Sequence, residues 1–85
     1  MSGKVFEQHW LTVLKAVVTE PMQKSLQYSY NLKMKKGTCV YVLMQLEKQG
    51  FVGQYNYTVK NVYETTHRYY YATDYGHKTI LAFRP

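Results

Sequence analysis

Gly37-Thr38-Cys39-Val40-Tyr41-Val42-Leu43-Met44-Gln45-Leu46-Glu47-Lys48-Gln49-Gly50-Phe51-Val52 is the stretch on which the fold turns. Its first part is ambiguous by residue type, because Val40, Tyr41 and Val42 are poor helix formers and a strand over Thr38 to Leu43 competes. Spacing decides for the helix. Cys39, Val42, Leu43 and Leu46 stand at i, i+3, i+4 and i+7, one helical face, and Glu47-Lys48-Gln49-Gly50 reads as its exit. A helix is expected over 37–49, held by packing rather than by propensity. After Gly50 the period changes to two. Phe51, Gly53, Tyr55, Tyr57 and Val59 alternate with Val52, Gln54, Asn56 and Thr58, in the Tyr-, Val- and Thr-rich composition that strands prefer.

Reading outward from that switch completes the chain. A second β-rich run covers about Val62 to Ala72, and Lys60-Asn61 is the expected hairpin tip. Thr73-Asp74 looks like a helix start, with Asp74 suited to the N-cap, and a short helix follows to about Phe83. Upstream, Phe6, Trp10, Val13, Leu14 and Val17 fall at i, i+4, i+7, i+8 and i+11, a helical stripe over about Val5 to Val18. Pro21 suits the first position of a second helix, Pro21 to Tyr30, in which Met22, Leu26 and Tyr30 share one face. Asn31 tolerates the left-handed conformation that commonly ends a helix, and Leu32 can fold back as its hydrophobic contact. Three helices, a β-hairpin and a short C-terminal helix make an α+β chain. That order is the layout of a winged helix-turn-helix, expected as a single domain over 1–85.

Composition narrows the function. The 85 residues carry 11 Lys plus Arg against 5 Asp plus Glu, a net charge of +6, and ten of the residues are Tyr. A basic chain of this size points to a polyanionic partner, and without a long basic amphipathic helix nucleic acid is favoured over a membrane surface. One Cys forms no intrachain disulfide, and a reducing compartment is the default. No apolar run is long enough to span a bilayer, and Glu7, Gln8 and His9 interrupt anything resembling a signal peptide. No catalytic site, metal site or cofactor is expected. His9, His67 and His77 are scattered, Cys39 falls on the core face, and no phosphate-cradling Gly-rich loop or paired carboxylates occur.

The stretch from Gly37 to Val52 resembles the recognition helix of winged-helix regulators of the PadR and MarR types, which ends in Leu-Glu-Lys-x-Gly-aliphatic and enters the first wing strand. The stretch Arg68-Tyr69-Tyr70-Tyr71-Ala72-Thr73-Asp74-Tyr75-Gly76 is similar to the PadR-type second wing strand and its exit, Arg-Tyr-Tyr-x-Leu-Thr-acidic-x-Gly, with Ala72 in place of Leu. The two motifs lie across one hairpin, as in those families, and with the helix-turn-helix they cover most of the chain. Small phage, plasmid or archaeal-virus regulators are of this size. The resemblance implies a transcriptional regulator bound to double-stranded DNA in the cytoplasm, on the nucleoid or in a viral host.

The residues expected to meet DNA follow from the layout. With one face of helix 37–49 buried, Thr38, Tyr41 and Gln45 point outward, flanked by Met44 and Lys48, and Gln45 suits a bidentate bond to adenine. Lys33, Lys35 and Lys36 lie in the turn leading into that helix, beside the phosphates. Lys60 and Asn61 at the wing tip suit a neighbouring minor groove. In the resembling families an Arg at the place of Arg68 contacts phosphate or pairs with an acid of the wing, and Glu64 is the acid available. The plainer reading of all these positions is a solvated surface. A homodimer on a pseudo-palindrome is expected, joined through helix 5–18 with Trp10 or through 74–85. Two other readings stay open: a winged-helix protein-interaction adaptor, and a single-stranded DNA or RNA binder stacking bases on Tyr55, Tyr57, Tyr69 and Tyr71.

Overall fold

The structure, a computed structural model, describes residues 2–83 and the side chains from Phe6 onward. Helix α1 (Ser2–Thr19) lays Val13, Leu14 and Val17 onto α3 (Lys36–Lys48), which answers with Cys39, Val42, Leu43 and Leu46. Both stripes are the ones the helical spacing predicts, and all seven side chains are excluded from solvent. Short α2 (Ser25–Asn31) closes the trio with Tyr28. Strands β1 (Val52–Lys60) and β2 (Glu64–Ala72) form an antiparallel hairpin, and α4 (Asp74–Ala82) returns along α1. The hairpin projects from the helices, so the molecule extends 48 Å along one axis against 28 and 22 Å on the others.

Helix α3 starts and stops one residue earlier than its spacing predicts. Its end is built as expected for a Gly-closed helix: Gly50 takes φ +84, the left-handed region, and the Phe51 amide donates to the Leu46 carbonyl at 2.9 Å.

Helix α2 departs further. It begins at Ser25 rather than Pro21, because the backbone of residues 22 and 23 is bonded to β2 and Gln23 forms a β-bridge there. The Met22 amide donates to the Tyr70 carbonyl (2.7 Å) and the Tyr70 amide donates to the Gln23 carbonyl (3.0 Å), so Gln23 bridges β2. Met22 itself sits at φ +63, a conformation costing a non-glycine residue roughly 1 kcal/mol or more. The expected face of Met22, Leu26 and Tyr30 is exposed; Tyr28 and Ser29 are buried instead. The Tyr28 hydroxyl donates to the Glu20 carbonyl (2.6 Å) and accepts from the Gln23 amide (3.4 Å), which knits the α1–α2 connection. Asn31 remains helical and Lys33 takes the left-handed turn, φ +54. Leu32 packs on the core as expected, and Met34 joins it.

The hairpin is longer and its tip later than expected. Lys60 is still in β1, opposite Glu64, and the turn is Asn61-Val62-Tyr63. Opposed residues share a face. Gly53↔Tyr71, Tyr55↔Tyr69 and Tyr57↔His67 lie on one face; Val52↔Ala72, Gln54↔Tyr70 and Asn56↔Arg68 lie on the other. Arg68 therefore opposes Asn56, while Glu64 opposes Lys60 and lies about 13 Å along the strand from Arg68. Of the two roles open to Arg68, the one that pairs it with Glu64 is not formed.

At the foot of the hairpin the backbone of Phe51 is tied to Thr73. The Thr73 amide donates to the Phe51 carbonyl (3.0 Å) and its hydroxyl donates to the Gly50 carbonyl (2.6 Å). That hydroxyl also accepts from the Gly76 amide (3.1 Å), which makes Thr73, not Asp74, the N-cap of α4. Gly76 packs against the Phe51 carbonyl so closely that a Cβ there would overlap it. The Phe51 ring stacks on Tyr75 at 4.7 Å and meets Trp10 at 5.8 Å, and Trp10 in turn takes the edge of Phe83 at 5.6 Å. Trp10, in one of the two regions expected to join subunits, is half-buried in an intramolecular aromatic cluster.

Candidate nucleic-acid interface

Helix α3 divides cleanly into two faces. Opposite its buried stripe runs Gly37, Tyr41, Met44 and Lys48, at i, i+4, i+7 and i+11, with Thr38 and Gln45 alongside. Gly37, Met44 and Lys48 are exposed, Met44 to 52%, whereas Thr38, Tyr41 and Gln45 are half-buried, and Tyr41, expected to point outward, packs in part against the core. Gly37 has an ordinary helical φ, and a Cβ on it would meet nothing within 4 Å. Neither backbone nor packing requires glycine there, at a cost of roughly 0.5–1 kcal/mol to the helix. What a bare backbone offers is close approach from outside.

The basic residues fall into separate groups. Lys33 and Lys35 lie in the turn and Lys36 opens α3, all three exposed. Lys35 is the N-cap and makes no side-chain capping bond. Lys48 ends the same helix, about 18 Å away along its axis. Lys60 and Asn61 are exposed at the far end of the hairpin, with Val62 and Tyr63 the most exposed apolar residues there at 88% and 80%. Arg68 is exposed midway along β2. The turn lysines and α3 thus gather into one surface, and the wing residues stand apart from it at the reach of the hairpin.

The ten tyrosines separate by environment. Tyr28 and Tyr70 are core residues; burial pushes the Tyr28 phenol up to about 12 and raises that of Tyr70. Tyr55, Tyr57 and Tyr71 are exposed on one face of the hairpin, and Tyr69 is half-buried beside them. Cys39 is buried and its thiol is pushed up to about 11 by desolvation, the state of an inert packed residue rather than a nucleophile. Among the described residues, no group of three or more His, Cys, Asp or Glu side chains could hold a metal ion. No helix among them is long and apolar enough to cross a membrane.

Sequence reasoning missed two features here. One is the use of Gln23 as a strand partner, which no local pattern marks because a single bridge has no periodicity. The other is the pairing of Lys24 with His67, which lie 43 residues apart and meet only through that bridge.

No family model matches the sequence, and no curated protein matches it. The fold does match solved structures. It is similar to the crystal structure of the transcriptional regulator SlyA, with a TM-score of 0.70 and 20% identity, over 87% of this chain and 49% of that one. It is similar also to FabT of Streptococcus pneumoniae in complex with DNA, with a TM-score of 0.72 and 16% identity, over 86% of this chain and 48% of that one. The chain spans about half the length of each. Its fold is that of winged-helix transcriptional regulators.

Proposed function

We propose that the chain is a sequence-specific, double-stranded DNA-binding transcriptional regulator of the MarR or PadR type, acting as one domain by occupying an operator. The observation that carries this reading is the outward row of α3, where an unrequired glycine, an exposed Met44 and terminal lysines stand opposite a fully buried stripe. Such a helix is built to enter a groove. In this reading α3 lies in the major groove, with Gln45 and Tyr41 at base edges and Thr38 beside them. Lys33, Lys35, Lys36 and Lys48 take phosphates, Lys60 and Asn61 enter the neighbouring minor groove, and Arg68 touches the backbone between. FabT, of like fold, was solved with DNA. A homodimer, joined through α1 and α4, doubles the contact and fixes half-site spacing. The groove between those helices, lined by Leu11, Val18, Ile80 and Leu81, supports that arrangement. The reading places the protein in the cytoplasm and gives it no catalytic role and no cofactor.

A second reading, a protein-interaction adaptor, draws support from the exposed row Met22, Leu26 and Tyr30. Selection against a randomised duplex library separates the two. An enriched motif is expected, with a two-fold repeat if the protein binds as a dimer. Retention of no duplex would favour the adaptor. Gln45→Ala is expected to relax the selected motif, and Lys36→Ala to weaken all duplexes and lower the salt slope by about 1.

A further inference from the structure

Lys24 stands just before α2 and, through the Gln23–Tyr70 bridge, lies across from β2. Its Nζ is 2.6 Å from Nδ1 of His67 and 5.8 Å from the centre of the Tyr69 ring. His67 in turn stacks on Tyr57, its cross-strand partner, at 6.4 Å. An ammonium group only donates, so in this contact Nδ1 of His67 is the acceptor.

The surroundings of this pair are short of negative charge. From β1 the titratable groups on its face are Tyr55 and Tyr57; from β2, Tyr69 and Tyr71; from the hairpin turn, Tyr63, which lines a depression with His67; from α2, Tyr30, which lines a shallow groove with Lys24 and Tyr69. No carboxylate is among them. Glu64 faces the other side of the hairpin opposite Lys60, and Glu47 accepts from the Gln54 amide at 2.8 Å. Lysine normally finds a carboxylate or water. Here it meets a second basic group, on a chain with net charge +6. The two nitrogens cannot both carry protons aimed at each other. Once His67 is protonated, the two must turn outward, and a shared oxyanion lets both donate.

We propose that Lys24 and His67 form a seat for a backbone phosphate of duplex DNA, at the junction of the helix-turn-helix with the wing, and that His67 takes up a proton as the phosphate binds. The proposal rests on the DNA-binding reading and adds two contact residues and a pH dependence to it. Because the bound state favours the charged imidazole, affinity rises as pH falls, with at most one proton linked.

Binding of a labelled mixed-sequence DNA duplex, followed by anisotropy at constant ionic strength, tests this. The wild-type protein is expected to bind roughly tenfold tighter at pH 5.5 than at pH 8. His67→Gln should lose most of that gain, leaving only what His9 and His77 contribute. Lys24→Gln should lower the salt slope by about 1 at either pH. Thermal melts check that both variants fold. A His67→Gln profile matching the wild type would overturn the proposal while leaving the regulator reading in place. A pH-linked gain confined to a single-stranded oligonucleotide run in parallel would overturn the duplex phosphate as the ligand. Duplex binding absent at every pH would overturn the DNA-binding reading and the seat with it.

Discussion

The near and far halves of the hairpin use the same residue types for opposite ends. Near the helices, Tyr70 is 5% exposed, its amide and carbonyl are bonded to the α1–α2 connection, and Phe51 and Val52 are buried beside it. From Tyr55 to Tyr63 on β1 and the turn, nothing is buried, and Val62 and Tyr63 stand almost free. The near half is structure: among the described residues no buried side-chain polar atom lacks a partner, and the Phe51 ring is held between Tyr75 and Trp10. The far half is surface, held by its own ladder, by cross-strand contacts such as Thr58–Thr66 and by the Lys24–His67 contact. A tyrosine's role in this molecule is set by its face as well as by its distance from Gln23: Tyr70 is buried, while its neighbour Tyr71, on the other face, is 40% exposed.

Gly76→Ala should break the near half most severely. The added Cβ meets the Phe51 carbonyl and the Leu14 side chain, so α4 must lift from the hairpin foot, a loss of about 2–3 kcal/mol readable by denaturant unfolding. Tyr28→Phe comes next. It removes the hydroxyl shared by Glu20 and Gln23, leaving a part-buried carbonyl without its donor, at about 1–2 kcal/mol. Tyr63→Ser at the far end should change stability by less than about 0.5 kcal/mol, and a larger loss would contradict the division drawn here.

Alkaline titration sharpens the same contrast. Burial raises the Cys39 thiol to about 11 and the Tyr28 phenol to about 12. Both groups are neutral when protonated, and the native state binds those protons more tightly than the unfolded chain. The stabilisation is thus fully present below the ordinary values near 9 and 10 and is lost as pH rises toward 11 and 12. Stability measured by urea unfolding should therefore decline above about pH 9. Cys39→Ala should remove the earlier part of that decline. Ultraviolet titration of the phenolates should show buried Tyr28 and Tyr70 ionising above the ordinary tyrosine value.

Much of this was legible from spacing alone. The buried stripes of α1 and α3, the closure of α3 by Gly50 and the change of period after it come from patterns three to eleven residues long. What was illegible depends on distant partners. Pro21 reads as a helix start, and only the hydrogen bonds to Tyr70 show why residues 22 and 23 stay out of the helix, which waits for Ser25. Thr73 and Asp74 are both good caps by type. The carbonyls of Gly50 and Phe51 hold the Thr73 side chain where the Gly76 amide can reach it. For the site, the outward row of α3 follows from its buried face, whereas the Lys24–His67 contact required knowing that residue 24 lies beside residue 69.

The bridge at Gln23 also bears on what can be inherited or engineered separately. A wing is easily pictured as an appendage, to be trimmed or exchanged while the helices persist. Here two backbone hydrogen bonds and the Tyr28 hydroxyl tie the α1–α2 connection to β2. A fragment ending at Gly50 would leave the Met22 amide and the Gln23 carbonyl orphaned beside exposed core. Reader and wing therefore travel as one piece, and a chimera that swaps hairpins must carry the complement to Met22 and Gln23 with it.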